Sequence, residues 1–207
     1  MSSLNELAAA AVALRSSVTA ARPVLLGIVG PPGSGKSTLT TALHSVLTDW
    51  SVVEMDGFHL SNEVLVSLDR RDRKGAPDTF DVDGFVALLQ RSRDNVSGVI
   101  YAPRFIREIE EPIAGSLPIR SDSPGILVEG NYLLLDSGGW EHVAALLDET
   151  WYVDTPAEEC RTRLVARATA TYGPIDGPRW VDDVDEPNAE IVRASAPRAT
   201  RRVVLDL

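Results

Sequence analysis

Apolar and polar positions along this chain fall into blocks that read as strand, helix, strand, helix. The first unbroken apolar run is Val24-Leu25-Leu26-Gly27-Ile28-Val29. Such a run suits a strand buried on both faces, as in a parallel sheet covered by helices. Gly30 to Gly35 punctuates it, and Lys36 to Leu47 then sets Leu39, Leu43, Val46 and Leu47 on one helical face. Ser51 to Met55 reads as a second strand, Asn62 to Leu68 as a short helix, and Arg70 to Thr79 as a charged loop. Asp81 caps a helix over Val82 to Arg91. Gly98 to Tyr101 is a short extended segment, and Pro112 and Pro118 make Arg104 to Arg120 irregular. Ile126 to Glu129 is a third buried strand, Trp140 to Leu147 a helix, and Thr150 to Val153 another strand. Pro156 starts a helix through Arg167. Gly173-Pro174, Gly177-Pro178 and an acidic run predict a mobile loop from Thr169 to Pro187. A helix near 189–194 and a strand over 203–205 close the chain. Leu4, Leu7, Ala11 and Leu14, at helical spacing, predict an amphipathic helix within residues 1–21. With no repeat and no linker, the pattern defines one α/β domain over residues 1–207 with a mainly parallel sheet.

Composition narrows the function classes. The chain has 207 residues, 44% hydrophobic and 24% charged, which excludes a disordered or fibrous protein. Thirty acidic against twenty basic residues give a net charge of -10. A body of that sign repels nucleic-acid backbone and anionic membrane, so neither is an expected partner; a small-molecule substrate is. The oligomeric state stays open, a homodimer included. Lys36 and Lys74 are the only lysines, and every other cation is arginine. The single cysteine, Cys160, excludes an internal disulfide framework and a multi-cysteine zinc site. No apolar run approaches the ~20 residues of a membrane span. The N-terminus lacks the basic region of a signal peptide, so a cytoplasmic location is expected.

The chemistry begins at Gly30-Pro31-Pro32-Gly33-Ser34-Gly35-Lys36-Ser37-Thr38, a match to the phosphate-loop pattern GxxxxGK[ST] between a buried strand and a helix. Gly30, Gly33 and Gly35 let the backbone wrap a phosphate, and the amides from Ser34 to Thr38 form an anion nest at a helix N-terminus. Lys36 reaches the β- and γ-phosphates and the Ser37 hydroxyl ligates Mg2+. The expected ligand is a nucleoside triphosphate. The Asn-Lys-x-Asp element of guanine-specific proteins is absent, which favours ATP. Glu129 ends the third strand at the edge where open α/β sheets bind ligands, and would hold a metal-bound water or a substrate hydroxyl. The plainer alternative is a solvated strand-end glutamate. Asp56 ends the second strand toward the same edge, and Asp56-Gly57 reads either as a turn or as a base that accepts a hydroxyl proton.

With the phosphate loop, the segment Met55-Asp56-Gly57-Phe58-His59-Leu60 resembles the uridine kinase, pantothenate kinase and phosphoribulokinase superfamily of P-loop kinases. Arg73 to Asp81 (Arg-Lys-Gly-Ala-Pro-Asp-Thr-Phe-Asp), Tyr101 to Phe105, Glu108 to Pro112 and Val128 to Leu134 are similar to its bacterial nucleoside/nucleotide kinase-like branch. The resemblance covers residues 22 to 205. It implies a P-loop NTPase fold with a five-stranded core, helices on both faces, and a lid at approximately 161–187. It implies Asp56 as catalytic base and Arg163 and Arg167 as lid arginines facing the transferred phosphoryl group. His59, Tyr101 and Arg104 are the substrate-pocket candidates, with a structural histidine and a surface arginine as the plainer reading, and Asn188 would lie near the base. The lid holds fewer arginines than in uridine kinases, and Phe80-Asp81-Val82-Asp83 keeps only half of their Phe-Asp-His-Pro element, which argues against a nucleoside acceptor. The expected function is ATP- and Mg2+-dependent phosphorylation of a hydroxyl on a small metabolite, a sugar, nucleoside or pantothenate-like alcohol. The alternative is a nucleotide-binding regulatory protein with slow hydrolysis.

Overall fold

The computed structural model describes residues 2–18, 22–94 and 97–205. Five parallel strands form the central sheet: β1 (Val24–Val29), β2 (Ser51–Glu54), β5 (Gly125–Gly130), β6 (Glu149–Val153) and β7 (Arg201–Val203), in the order β2-β5-β1-β6-β7. Side chains alternate across it. Leu25, Val29, Val53, Ile126, Val128 and Tyr152 face one layer, while Leu26, Ile28, Leu127, Trp151 and Val153 face the other. Helices α1 (Leu4–Ser17) and α2 (Lys36–Val46) cover the second face. The first face is covered by α4 (Val82–Arg93), α5 (Glu141–Ala144) and α7 (Glu186–Ser195). Both sides are therefore dry, which is why the strands read as continuous apolar runs. The α1 helix begins at a Ser3–Glu6 capping box; the ends expected for it at residue 1 and at 19–21 lie outside the described residues. No helix among the described residues is long and apolar enough to cross a membrane.

Four segments differ from the sequence expectation. Residues 99–120 form an antiparallel hairpin, β3 (Val99–Ile106) and β4 (Glu111–Arg120), with a register shift between Ala102 and Arg104. Pro103, Pro112 and Pro118 are tolerated because this ribbon is its own two-stranded sheet, with an outer edge on each strand. Helix α6 (Ala157–Trp180) does not stop near Arg167 but continues through the expected loop, broken only at Gly173, whose φ is 87°. Pro174 follows that break at the start of the second helical piece, where a missing N–H does no harm. A π-helical turn over Val181–Asp185 then leads into α7. Gly177 lies so close to Ala168 and Thr169 that a Cβ would sit 2.6 Å from the Thr169 nitrogen, so the piece folds back on the first half of α6. Leu164, Ala168 and Val181 form a small core inside this cap. The helix expected from Trp140 to Leu147 is only the four-residue α5, and the last strand lies at 201–203 rather than 203–205.

Candidate active site

Three strands deliver the chemistry to one edge of the sheet. β1 runs into the phosphate loop, β5 ends at Glu129-Gly130, and β2 runs into a 3-10 turn over Met55–Phe58 that carries Asp56. Between this edge and the α6 cap lies a cavity of about 560 Å³. Gly33, Gly35, Lys36, Ser37, Thr38, Asp56, His59, Glu129, Arg163, Arg167 and Asn188 all line it. Gly30 and Ser34 lie beneath the loop, not on the cavity wall: Ser34 is fully buried, and a Cβ on Gly30 would meet its Oγ at 2.6 Å. One expectation is corrected. Tyr101 is 60% exposed on β3 and lines no part of the cavity. Arg104 opens into a neighbouring pocket of about 480 Å³, where its Nε faces Glu54 Oε1 at 3.4 Å. Asp56 and Glu129 line both spaces.

The phosphate loop fits a triphosphate on its own geometry. Gly33 and Gly35 hold φ of 79° and 92°, the left-handed region that turns successive amides inward. Helix α2 starts with no side-chain cap, so its first N–H groups are available to an anion. The Ser34 Oγ is buried with no partner among the described residues. Lys36 Nζ lies 3.7 Å from Glu129 Oε1 and 3.5 Å from the Pro31 carbonyl, both long contacts that leave its donors free for phosphate oxygens. Two residues tie down the loop: Arg163 of α6 donates to the Gly33 carbonyl at 3.1 Å and also pairs with Glu159, while Thr155 Oγ1, in the connection from β6 to α6, donates to the Ser34 carbonyl at 2.8 Å. Burial pushes the Glu129 carboxyl up to about 7, against the pull of Lys36, with Asp56 and Glu54 adding to the rise and Ser37 opposing it. Ser37 and Glu129 together form a hydroxyl–carboxylate pair of the kind that holds hydrated Mg2+.

Asp56 sits where the turn is forced close to the hairpin. A Cβ on Gly57 would lie 2.3 Å from the Pro103 carbonyl, so the residue after Asp56 must be glycine for β3 to pack here. The Asp56 carbonyl fixes His59 Nδ1 at 2.8 Å, and the ring packs against Phe80 at 4.0 Å and Phe105 at 4.8 Å. A carbonyl only accepts, so Nδ1 carries the proton; burial lowers the His59 pKa, and the neutral ring keeps Nε2 as an acceptor. Several cavity residues carried no signal in the sequence. Arg107, on the hairpin turn, has its guanidinium 3.7 Å from Asp56 Oδ2. Tyr172 and Trp180 stack at 5.1 Å across the Gly173 break, and Asp185 sits beside them on the cavity wall. Burial raises the Asp185 pKa, partly offset by Arg167. Crowding by the cavity walls lowers the Arg167 pKa although solvent still reaches its surface. Cys160 is buried, with burial pushing its thiol up, and no cluster of histidine, cysteine and carboxylates able to hold a metal occurs among the described residues.

A parallel sheet with a phosphate loop, a strand-end carboxylate and a helical cap defines a P-loop kinase fold. The chain is 34% identical over 183 residues to YggC of Escherichia coli strain K12, covering 81% of this chain and 75% of that one. A crystal structure from Silicibacter sp. TM1040, provisionally named a fructose transport system kinase, superposes with a TM-score of 0.89 at 31% identity, over 98% of this chain and 100% of the other. A Schizosaccharomyces pombe protein provisionally named a uridine kinase is 32% identical over 154 residues, 70% of this chain and 66% of that one. The chain spans about half the length of the bacterial pantothenate kinases it matches. No protein-family profile matches it. The chain belongs to the uridine kinase, pantothenate kinase and phosphoribulokinase superfamily of P-loop kinases.

Proposed function

We propose that this chain transfers the γ-phosphoryl group of ATP to a hydroxyl of a small metabolite. The observation that carries this reading is one continuous cavity walled by both the phosphate loop and Asp56. The loop amides and Lys36 hold the β- and γ-phosphates. Ser37 and Glu129 hold Mg2+, which supplies charge neutralisation of the phosphate oxygens. Asp56 accepts the proton of the acceptor hydroxyl as its oxygen bonds to the γ-phosphorus, and the bond from phosphorus to the departing ADP breaks. Arg163 and Arg167, on the cap, face the charge that spreads over the transferred group. Asn188, at the cap's far end, contacts the base. His59 accepts a hydrogen bond from a substrate hydroxyl through Nε2. Residues 161–187 act as a lid within a single kinase domain, which works in the cytoplasm on a small molecule, without nucleic acid or membrane.

Phosphate transfer and idle hydrolysis separate experimentally. ADP release from ATP and Mg2+ is followed with and without a panel of hydroxyl metabolites. The kinase reading expects release to rise at least tenfold with an accepted metabolite, and a radiolabel placed on the γ-phosphate of ATP to appear on it. Equal turnover with and without every metabolite, at a slow rate, is the result expected of a nucleotide-binding regulator and would overturn the kinase reading. Replacing Lys36 by alanine weakens either activity and does not decide between them.

A further inference from the structure

Three buried side-chain atoms have no hydrogen-bond partner among the described residues: Ser34 Oγ, Thr40 Oγ1 and Asn131 Oδ1. A buried polar atom in that state is unfavourable, and rare enough in folded proteins to need a cause. Ser34 lies beneath the phosphate loop, and Thr40 lines the neighbouring pocket. Of the three residues only Asn131 lines the main cavity, together with Lys36, Asp56 and Glu129. It belongs to the segment Val128 to Leu134, and the reaction proposed above gives it no part.

The sheet register fixes where Asn131 stands. β5 lies between β1 and β2, with Gly130 opposite Val29 and Glu129 opposite Glu54. One step past Gly130 brings Asn131 level with Gly30, the first residue of the phosphate loop. Two steps past Glu129 bring it level with Asp56. Neighbouring strands are about 4.8 Å apart, so Asn131 stands between the loop that fits the triphosphate and the carboxylate proposed as base. The residues on either side of it are held hard. A Cβ on Gly130 would lie 2.6 Å from the Met55 Cβ, so the end of β5 is pressed against the turn that carries Asp56. Tyr132 is fully buried, donates from its hydroxyl to the Gly75 carbonyl at 2.5 Å, and packs against the Trp140 ring at 5.5 Å. The amide between these two anchors makes no hydrogen bond among the described residues. Its Oδ1 is the buried end, which leaves Nδ2 as the end that opens into the cavity.

We infer that Asn131 is a catalytic residue: Nδ2 donates to an oxygen of the γ-phosphoryl group and holds that group in line with the hydroxyl at Asp56. The inference rests on the kinase reading of the cavity. The residue type suits the place. A carboxylate between Asp56 and the phosphates would add repulsion, and a hydrocarbon would offer no donor; a primary amide is neutral and brings two N–H groups. A donor fixed on a rigid strand end needs no reorganisation as the phosphoryl group moves. Its partner exists only when the third phosphate does, so Asn131 distinguishes ATP from ADP.

Nucleotide binding tests this without any acceptor. The full chain with Mg2+ is titrated calorimetrically with ADP and with a non-hydrolysable ATP analogue. Asn131→Ala weakens the analogue by about 10- to 100-fold, the loss of one hydrogen bond to a charged group, and leaves ADP within about twofold. Asn131→Leu, which keeps the volume and removes the donor, does the same, so an emptied space is not the cause. Asn131→Ser, which returns one donor, recovers part of the analogue's affinity. Thermal melting checks that each variant folds, and the leucine variant replaces the alanine one if that chain does not. With an accepted metabolite, loss of the donor also lowers kcat tenfold or more. Equal losses for ADP and the analogue, or an analogue affinity unchanged in both variants, would overturn the inference. A loss confined to the analogue in a chain that phosphorylates no metabolite would uphold Asn131 and defeat the kinase reading alone. Transfer to a metabolite at an undiminished rate by the alanine variant would do the reverse.

Discussion

Glu129 shows how much the environment of one side chain decides. It is 6% exposed, beside Lys36, with burial holding its carboxyl near 7 instead of the ordinary value of 4.5. Its folded pKa is raised, so its contribution favours the folded state at low pH and is lost as pH rises from about 4.5 through about 7. The shift corresponds to roughly 3 kcal/mol between those limits. Glu129→Gln removes that slope: urea denaturation at pH 5 and pH 8 should show the wild type losing about 1–3 kcal/mol more than the variant over this range. An identical pH dependence in both would contradict the assignment. The sequence made Glu129, Asp56 and Lys36 legible because each ends or begins a strand or helix whose pattern is strong. It was silent on Arg107, Trp180 and Asp185, because no local pattern says which turn or cap folds over a cleft, and it misplaced Tyr101 for the same reason.

At the level of elements, the sheet strands and α2 were readable to within a residue or two, since burial on both faces writes an unbroken apolar run. The β3–β4 hairpin was hidden by its prolines and by the register shift that breaks its alternation. The cap was hidden by Gly173-Pro174 and Gly177-Pro178, which read as a loop, although a single glycine makes the break and both prolines are accommodated in the helix beyond it. The contact between the Asp56 turn and the hairpin is the tightest of these junctions. Gly57→Ala forces a methyl carbon to within 2.3 Å of the Pro103 carbonyl. The expected result is a destabilisation of about 2 kcal/mol or more, read by chemical denaturation, and a fall in transfer rate larger than the change in nucleotide affinity. Unchanged stability would mean that the turn and β3 are not packed as described.

Across the whole molecule, the order β2-β5-β1-β6-β7 puts β1 at the centre with its loop facing the ends of β5 and β2, where ligands bind in open parallel sheets. The opposite end is tied by Asp148, which accepts from Arg22 at 2.9 and 2.7 Å and from the Leu25 amide at 2.9 Å, with Arg93 at 3.7 Å. Burial alone would raise its pKa, but the hydrogen bonds from Arg22 and Leu25 and the charges of Arg22 and Arg93 hold it below the ordinary value. That contribution is present above the unfolded pKa near 3.8 and is lost as pH falls through the lower folded one. Asp148→Ala should cost about 1–3 kcal/mol at pH 7 by denaturant titration, without altering ATP binding, because it leaves two arginines unpaired far from the phosphate loop. The central claim is that a triphosphate and an alcohol meet at Asp56, and Asp56→Asn tests it most directly. With an accepted metabolite, the variant should lose transfer by about 100-fold or more and keep its Kd for a non-hydrolysable ATP analogue within about twofold, since the amide retains the shape and lacks the basicity. Transfer at the wild-type rate by the asparagine variant would contradict the account.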